Sequence, residues 1–324
     1  MGTSGRATVA FFIAALSIAS AALTEAQSYP TRPIRLIVPF PPGGNSDLMA
    51  RMLAQKLTET FKQSVVVDNR PGGGTTIGTE IAVRANPDGY TMFMASSAYA
   101  AIAALYKLPY DPVNDVAPIV LLGESGLVVI LNPSVPVTNI KELIAYDKSN
   151  PGKLNYGSSG TGSSVHLVTE LFNQMVGTRM THVPYKGVGP ALNELIGGQI
   201  QILISGLPAM IQQVRSNRVR GIAVTTAKRS NAVPDIPTVA ETVPGYEAAA
   251  WVAVVGPKAL PRDIVARWSS EINRILQLPD VKERMASDGM EIAGGSPERF
   301  REVLKRDVEK WQKVVKTAGI KPGN

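Results

Sequence analysis

Two glycine-rich loops carry most of the chemistry open to this chain: Pro41-Pro42-Gly43-Gly44-Asn45-Ser46-Asp47 and Gly157-Ser158-Ser159-Gly160-Thr161-Gly162-Ser163-Ser164. Each follows a short apolar run and leads into a segment of helical period. At such a junction the first backbone N–H groups of the helix have no partner within it, and the positive end of its dipole lies beside them. A carboxylate or phosphate fits there. Glycine lets the backbone approach the anion, while Ser and Asn add uncharged hydrogen bonds and cap the helix. A single loop of this kind is common in α/β proteins and usually binds nothing. Two of them, far apart in sequence and both containing Ser, point to two lobes gripping one ligand. Asp47 needs a separate account, because a carboxylate aimed at an anion repels it. It is expected to cap its own helix or to order a water that faces the ligand.

Other residues could complete the grip. Ser96-Ser97 ends an apolar run where ligands gather in open α/β sheets, although two serines at a loop are also ordinary. Tyr185-Lys186-Gly187 offers a hydroxyl and an ammonium to a carboxylate, or forms a solvated turn. Trp251, in an apolar run, reads as core or as an aromatic wall above a bound acid. The two histidines, His166 and His182, have no ligand cluster at metal spacing, so no zinc site is expected. His166 is expected to support the second loop or help close the cleft, and His182 to be a satisfied strand-end residue. The second loop misses the G-x-S-x-G pattern at its last position, and a Ser/His hydrolase would need a triad shown by geometry. Asn69-Arg70-Pro71-Gly72-Gly73-Gly74 lacks the Lys-Ser/Thr ending of a P-loop, which argues against phosphate there.

The elements that must position these residues alternate. Apolar runs at 34–40, 65–67 and 91–95 read as strands, and 46–61, 78–84 and 98–105 as helices, giving an α/β lobe with a largely parallel sheet. The first helix sets Leu48, Met52, Leu53, Leu57 and Phe61 on one side. A second α/β lobe is expected over 123–225, with strands at 127–131, 154–156, 180–183, 200–204 and 219–224 and helices at 139–147, 163–175, 191–196 and 208–216. Beyond it lie a strand at 249–255 and helices at 261–276, 280–288 and 297–317. The last opens on Ser296-Pro297-Glu298, an N-cap with Pro in the first turn. This tail is expected to return to the first lobe, making it 27–122 plus 226–324, with hinge crossings near Gly123 and Thr225.

Residues 1–26 carry Arg6, an apolar stretch from Ala7 to Leu23 and then Thr24-Glu25-Ala26, the pattern of a cleaved secretory signal with a mature start near Gln27. The apolar stretch is short and broken by serines, unlike a membrane anchor. About 298 residues remain, more than one ordinary core serves. With no Cys, disulfides, thiolate metal sites, a cysteine nucleophile and an N-terminal lipid-anchored Cys are excluded. The net charge of +7 favours anionic ligands or is ordinary surface charge. Scattered basic residues and an aromatic content of 6% leave no nucleic-acid stripe.

The chain resembles the Bug/TctC family, extracytoplasmic solute receptors of tripartite tricarboxylate transport systems. The resemblance runs from Tyr29 to Lys321. It is carried by Tyr29-Pro30-Thr31-Arg32-Pro33-Ile34, Val38-Pro39-Phe40-Pro41-Pro42-Gly43-Gly44, Asp68-Asn69-Arg70-Pro71-Gly72 and Pro87-Asp88-Gly89-Tyr90. Further on come Leu108-Pro109-Tyr110-Asp111-Pro112, Gly152-Lys153-Leu154-Asn155-Tyr156-Gly157, His182-Val183-Pro184-Tyr185-Lys186-Gly187 and Pro234-Asp235-Ile236-Pro237-Thr238-Val239. It implies a type II periplasmic binding-protein fold, two α/β lobes closing over a small carboxylate. In such a family one carboxylate is held by the two glycine loops, here Phe40, Gly43, Gly44, Ser46 and Asp47 facing Ser159, Gly160, Gly162, Ser163 and Ser164. Ser96, His166, Tyr185, Lys186 and Ser205 are further candidate contacts. Relatives often carry Asn-Pro where this chain has Ile102-Ala103, and an acidic step where it has Ser205-Gly206. The far end of its pocket is therefore expected to be less acidic, favouring a second carboxylate or a less polar tail over an ammonium group.

The reading that results is a non-enzymatic periplasmic receptor, monomeric, without cofactor or metal, that binds a mono- or dicarboxylate and delivers it to a membrane permease. A ligand sensor for a signalling partner is the alternative. The Ser/His hydrolase, with Ser159 as the nucleophile to remove, is a third.

Overall fold

A computed structural model describes residues 29–42, 45–72 and 75–321. The expected signal segment, 1–26, lies outside the described residues, as do Gly43 and Gly44 of the first loop. In chain order the elements begin β1 (Ile34–Val38), α1 (Asn45–Phe61), β2 (Val65–Asn69), α2 (Thr76–Val83), β3 (Thr91–Ser96) and α3 (Ser97–Leu105). They continue β4 (Val116–Leu131), α4 (Ile140–Ser149), β5 (Asn155–Ser158), α5 (Ser164–Val176), β6 (Thr181–Pro184), α6 (Val188–Ile196), β7 (Ile202–Gly206), α7 (Leu207–Arg215) and β8 (Arg220–Val224). The last are β9 (Ala249–Pro257), α8 (Arg262–Ile275), α9 (Pro279–Ser287), β10 (Glu291–Ile292) and α10 (Pro297–Ala318).

The fold is α/β, and its strands form one curled path, β2-β1-β3-β9-β4-β7-β5-β6, with β8 and β10 also paired to β4. The largely parallel sheet expected for the first lobe is confined to one flank. Strands β2, β1 and β3 run parallel, as do β6, β5 and β7 on the other flank, but β9 and β4 join them through antiparallel ladders. The cause is β9, which arrives late in the chain and inserts beside β3 in the opposite direction. Strand β4 belongs to both halves. Its residues up to Gly126 pair with β9, and from Leu127 onward it pairs with β7 and β8. Beside this changeover Thr225 ties three segments together. Its Oγ1 accepts from Leu127 N–H (2.9 Å) and contacts the Ala248 carbonyl (2.5 Å), while its own N–H donates to the Leu127 carbonyl (2.9 Å).

The apolar stripe read from the first helix packs in part: Leu48 is exposed and Met52 half-buried, and Met49 is buried in their place because the buried face is turned towards it. Leu53, Leu57 and Phe61 meet Leu36, Met92 and Met94 under Trp268 and Ile272 of α8. Trp268 stands edge-on to Phe61 (5.5 Å) and donates to the Tyr29 hydroxyl (2.7 Å). The opposite face buries Phe93, Tyr99, Phe300 and Trp311 and runs on without a break to Leu131, Leu167 and Phe172. A third cluster, Ile130, Leu195, Leu203 and Met210, sits under α6 and α7. Helix caps follow the sequence: Ser163, Asn139 and Ser296 each accept from a backbone N–H in the first turn, and Gly177 and Gly319 end their helices in left-handed geometry. The tail helix α10 does more than return to the first sheet. It packs on α3 and β4 and also on α5, where Gln174 donates to the Val314 carbonyl (3.0 Å). Among the described residues no helix is long and apolar enough to cross a membrane.

Candidate functional site

Among the helices that open at the C-terminal ends of parallel strands are α1 after β1 and α3 after β3 on one flank, and α5 after β5 and α7 after β7 on the other. This is where ligands bind in open α/β sheets. At β3 the strand passes straight into the helix. Ser96, extended and 9% exposed, is the N-cap of α3, and its side chain caps no N–H. Ser205, 2% exposed, lies beside Val128 one residue before the Gly206 N-cap of α7.

The second glycine loop is built from its own residues and two histidines. Ser163 accepts from the His166 N–H (3.3 Å), and Gly162 N–H donates to His166 Nδ1 (2.9 Å). Ser158 Oγ meets His182 Nε2 at 2.6 Å and accepts from Gly160 N–H at 3.1 Å. The two imidazoles stack with centroids 3.8 Å apart and planes 9° from parallel, and Tyr156 lies under His182 at 5.0 Å. The Tyr156 hydroxyl donates to Glu170 (2.6 Å), which also receives Asn173 (3.0 Å). Burial pulls both histidines down to about 4, and in His182 the neighbouring His166 adds to it. Both rings are therefore neutral at pH 7. Because His166 Nδ1 accepts, its proton sits on Nε2.

Both histidines thus serve the loop, His166 as expected and His182 as a satisfied strand-end residue whose partner is Ser158. The Ser158–His182 distance is that of a nucleophile and its base. Ser158 is nevertheless fully buried, and Gly160 also occupies its hydroxyl, so the pair shapes the loop and presents no nucleophile to solvent. Tyr185 touches the loop through its backbone, its N–H donating to the Ser158 carbonyl (3.1 Å), while Lys186 is exposed. Ser159, Gly160 and Ser163 are half-buried, and Ser164 is exposed in the first turn of α5.

On the other flank Asn69 holds the base of the first loop, a residue not singled out from the sequence although it lies in a segment that carries the resemblance. Its amide donates to the Phe40 carbonyl (3.0 Å) and to Asp47 Oδ1 (2.9 Å). Asp47 Oδ2 accepts from Arg51 Nε (2.9 Å), and Arg51 also reaches Asn69 Oδ1 (3.2 Å). The Asp47 charge is matched by the Arg51 guanidinium one turn along α1, so it does not stand alone in the loop. Asp47 is 1% exposed, and Ser46 beside it is half-buried. Asp47→Ala removes the acceptor shared by Asn69 and Arg51, at about 1–3 kcal/mol for the groups left unpaired. The expected outcome is a carboxylate affinity at least tenfold weaker in a calorimetric titration; unchanged affinity would count against the loop's dependence on Asp47.

Trp251 is core, and the aromatic-wall reading is corrected. The indole is 2% exposed, stands edge-on to Phe300 (5.6 Å) and donates to the buried Asp307 carboxylate (2.7 Å), which also pairs with Lys310. Among the described residues no three His, Cys, Asp or Glu side chains converge as a metal site requires.

The family described as tripartite tricarboxylate transporter family receptor, TctC, matches residues 49–320. Protein BugT of Bordetella pertussis (strain Tohama I) is 36% identical over 319 residues, covering 97% of this chain and 97% of BugT. Among solved structures, R. palustris Rpa4515 with adipate is similar at a TM-score of 0.76 and 37% identity, over 91% of this chain and 100% of that one. MatC from Rhodopseudomonas palustris with bound malate is similar at a TM-score of 0.73 and 28% identity, over 89% of this chain and 100% of that one. The periplasmic binding-protein fold expected from the sequence is that of the periplasmic binding protein BugD, similar at a TM-score of 0.72 and 34% identity over 90% of this chain and 99% of that one.

Proposed function

Because the chain belongs to the TctC family, the receptors of the tripartite tricarboxylate transporter family, we propose that it holds a small mono- or dicarboxylate between its two glycine loops and delivers it to a separate integral-membrane permease. Members of the family are periplasmic binding proteins, and solute binding for tricarboxylate-type transport is the role of this chain. The acid class comes from its relatives, two of which are seen with adipate and malate. The contacts proposed are backbone and short polar groups of Phe40, Gly43, Gly44 and Ser46 on one side and Ser159, Gly160, Gly162, Ser163 and Ser164 on the other. Ser96 and Ser205 stand towards the far end of the ligand.

One observation supports this grip above the others. The second loop closes on the N-terminus of α5 over a neutral histidine pair that takes the Gly162 N–H and the Ser158 hydroxyl, so the loop is held in shape before any ligand arrives, without a fixed cation that would hold an anion too tightly to release. The chain is proposed to work as a monomer of two lobes, residues 27–122 with 226–324 and residues 123–225, that close over the acid; it performs no chemistry on it. Cleavage of residues 1–26 would release it into the periplasm.

A thermal-shift screen of the protein beginning at Gln27 against mono-, di- and tricarboxylates, aromatic acids and acidic amino acids tests the reading, since a ligand bound only by the folded state raises the melting temperature. One acid class is expected to give a shift of several degrees. A response to aspartate or glutamate above all others would overturn the less acidic far end, and no response to any acid would remove the carboxylate assignment.

A further inference from the structure

Two contacts between elements of the two flanks depend on glycine. In the first, Gly162 of the second loop lies against Leu105 at the end of α3, and a Cβ built on it would stand 2.9 Å from Leu105 Cδ1. In the second, Gly289, between α9 and β10, lies against Pro208 in the first turn of α7. A Cβ there would stand 2.7 Å from Pro208 Cγ and 3.3 Å from its Cβ. Helices α5 and α7 spring from β5 and β7, whereas α3 follows β3 and β10 pairs with the β9-bearing end of β4, so each contact spans the molecule's two halves. The two differ in stiffness. A leucine methyl swings aside by a change of rotamer, but a proline ring in a helix turn is fixed to its backbone. Gly289–Pro208 is therefore the contact that resists intrusion, and it lies two residues from Gly206, at the strand end where Ser205 sits.

We infer that Gly289 is a positioning residue for carboxylate capture: by presenting no side chain to Pro208 it lets the two halves reach the separation at which both glycine loops meet one anion. The inference rests on the two-sided grip proposed above. Gly289 also has left-handed backbone geometry (φ +66°), so replacing it adds local strain as well as bulk. Gly319 separates the two effects, because it has nearly the same geometry (φ +64°) with nothing within 4 Å of a built Cβ.

The absence of native Cys allows a clean distance measurement. Glu283→Cys on α9 and Gln212→Cys on α7 place spin labels at two exposed positions flanking the contact. In the labelled full-length mature chain, Gly289→Ala is expected to move the distance distribution outward by about 1–3 Å, the relief that a 2.7 Å clash demands on separate rigid elements. Gly319→Ala is expected to leave it unchanged, and adding Pro208→Ala to Gly289→Ala to move it back. An unchanged distribution in Gly289→Ala, an equal shift in Gly319→Ala, or no recovery with Pro208→Ala would each overturn the inference. The distance is read without any acid present, so this outcome is separate from the result of the carboxylate screen.

Discussion

Trp251→Ala will lower the melting temperature by about 10 °C while leaving carboxylate affinity within threefold of the parent. Deleting a fully buried Trp removes about 3–5 kcal/mol through lost transfer energy and the cavity left behind. In a chain of this size each kcal/mol is worth about 2–4 °C. A second effect adds to the first, because the indole N–H is a donor to Asp307, which is 3% exposed and is left with its Lys310 ion pair. Trp251→Phe keeps most of the ring's packing and loses that donor, so its loss should be about a third as large. Thermal melts and calorimetric titration of the same samples check both halves of the statement. A fall in affinity with an unchanged melt would return Trp251 to the ligand's surroundings.

Acid will loosen the second glycine loop before it unfolds the rest. His166 is neutral in the folded chain down to about pH 4, whereas an unfolded histidine takes up its proton near 6.5. Between these values the unfolded chain binds protons that the folded one refuses, so stability falls as pH drops from about 6.5 to 4 and is fully present above that window. For His166, 6% exposed, the full loss is about 3 kcal/mol. His182 acts in the same direction over the same window but is half-buried, and Glu170 offsets part of its shift. Charging both rings would also set two cations face to face at 3.8 Å and break the Gly162 N–H bond to Nδ1. Melting temperatures at pH 7.5, 5.5 and 4.5 should fall steadily in the parent chain. His166→Asn should start lower and fall less, because it has no proton to gain. Parallel curves for the two would mean that other groups carry the acid response.

What the sequence made legible and what it hid have a common physical origin. Local signals were sufficient for the helices: the Leu53, Leu57 and Phe61 stripe and the Ser163 and Ser296 caps depend on neighbours within a turn or two. The glycine loops were legible for the same reason, since a loop between an apolar run and a helix declares its exposed N–H groups. Pairing across distance was not legible. Nothing near Val252 announces that it lies beside Ser96, so the strand at 249–255 carries no direction in the sequence and the antiparallel middle of the sheet is absent from the expectation of a largely parallel first lobe. The stack of Tyr156, His182 and His166 joins residues from β5, β6 and α5, and the Asn69 amide reaches Asp47 across 22 positions. Trp251 stayed ambiguous because core and cleft demand the same residue type; its partner Asp307, on α10, decided between them.

The late arrival of β9 also bears on how the chain comes together. Strand β3 finishes at Ser96, yet its antiparallel neighbour spans Ala249–Pro257, so its open edge waits for some 150 further residues to be made. Closing that gap requires a long-range contact early in assembly, which slows folding. In the interval Met94 and Phe93 sit on a strand with one unsatisfied side, an aggregation hazard that shorter-range topologies avoid. A chain that stops after β8 leaves that edge of β3 without its antiparallel partner.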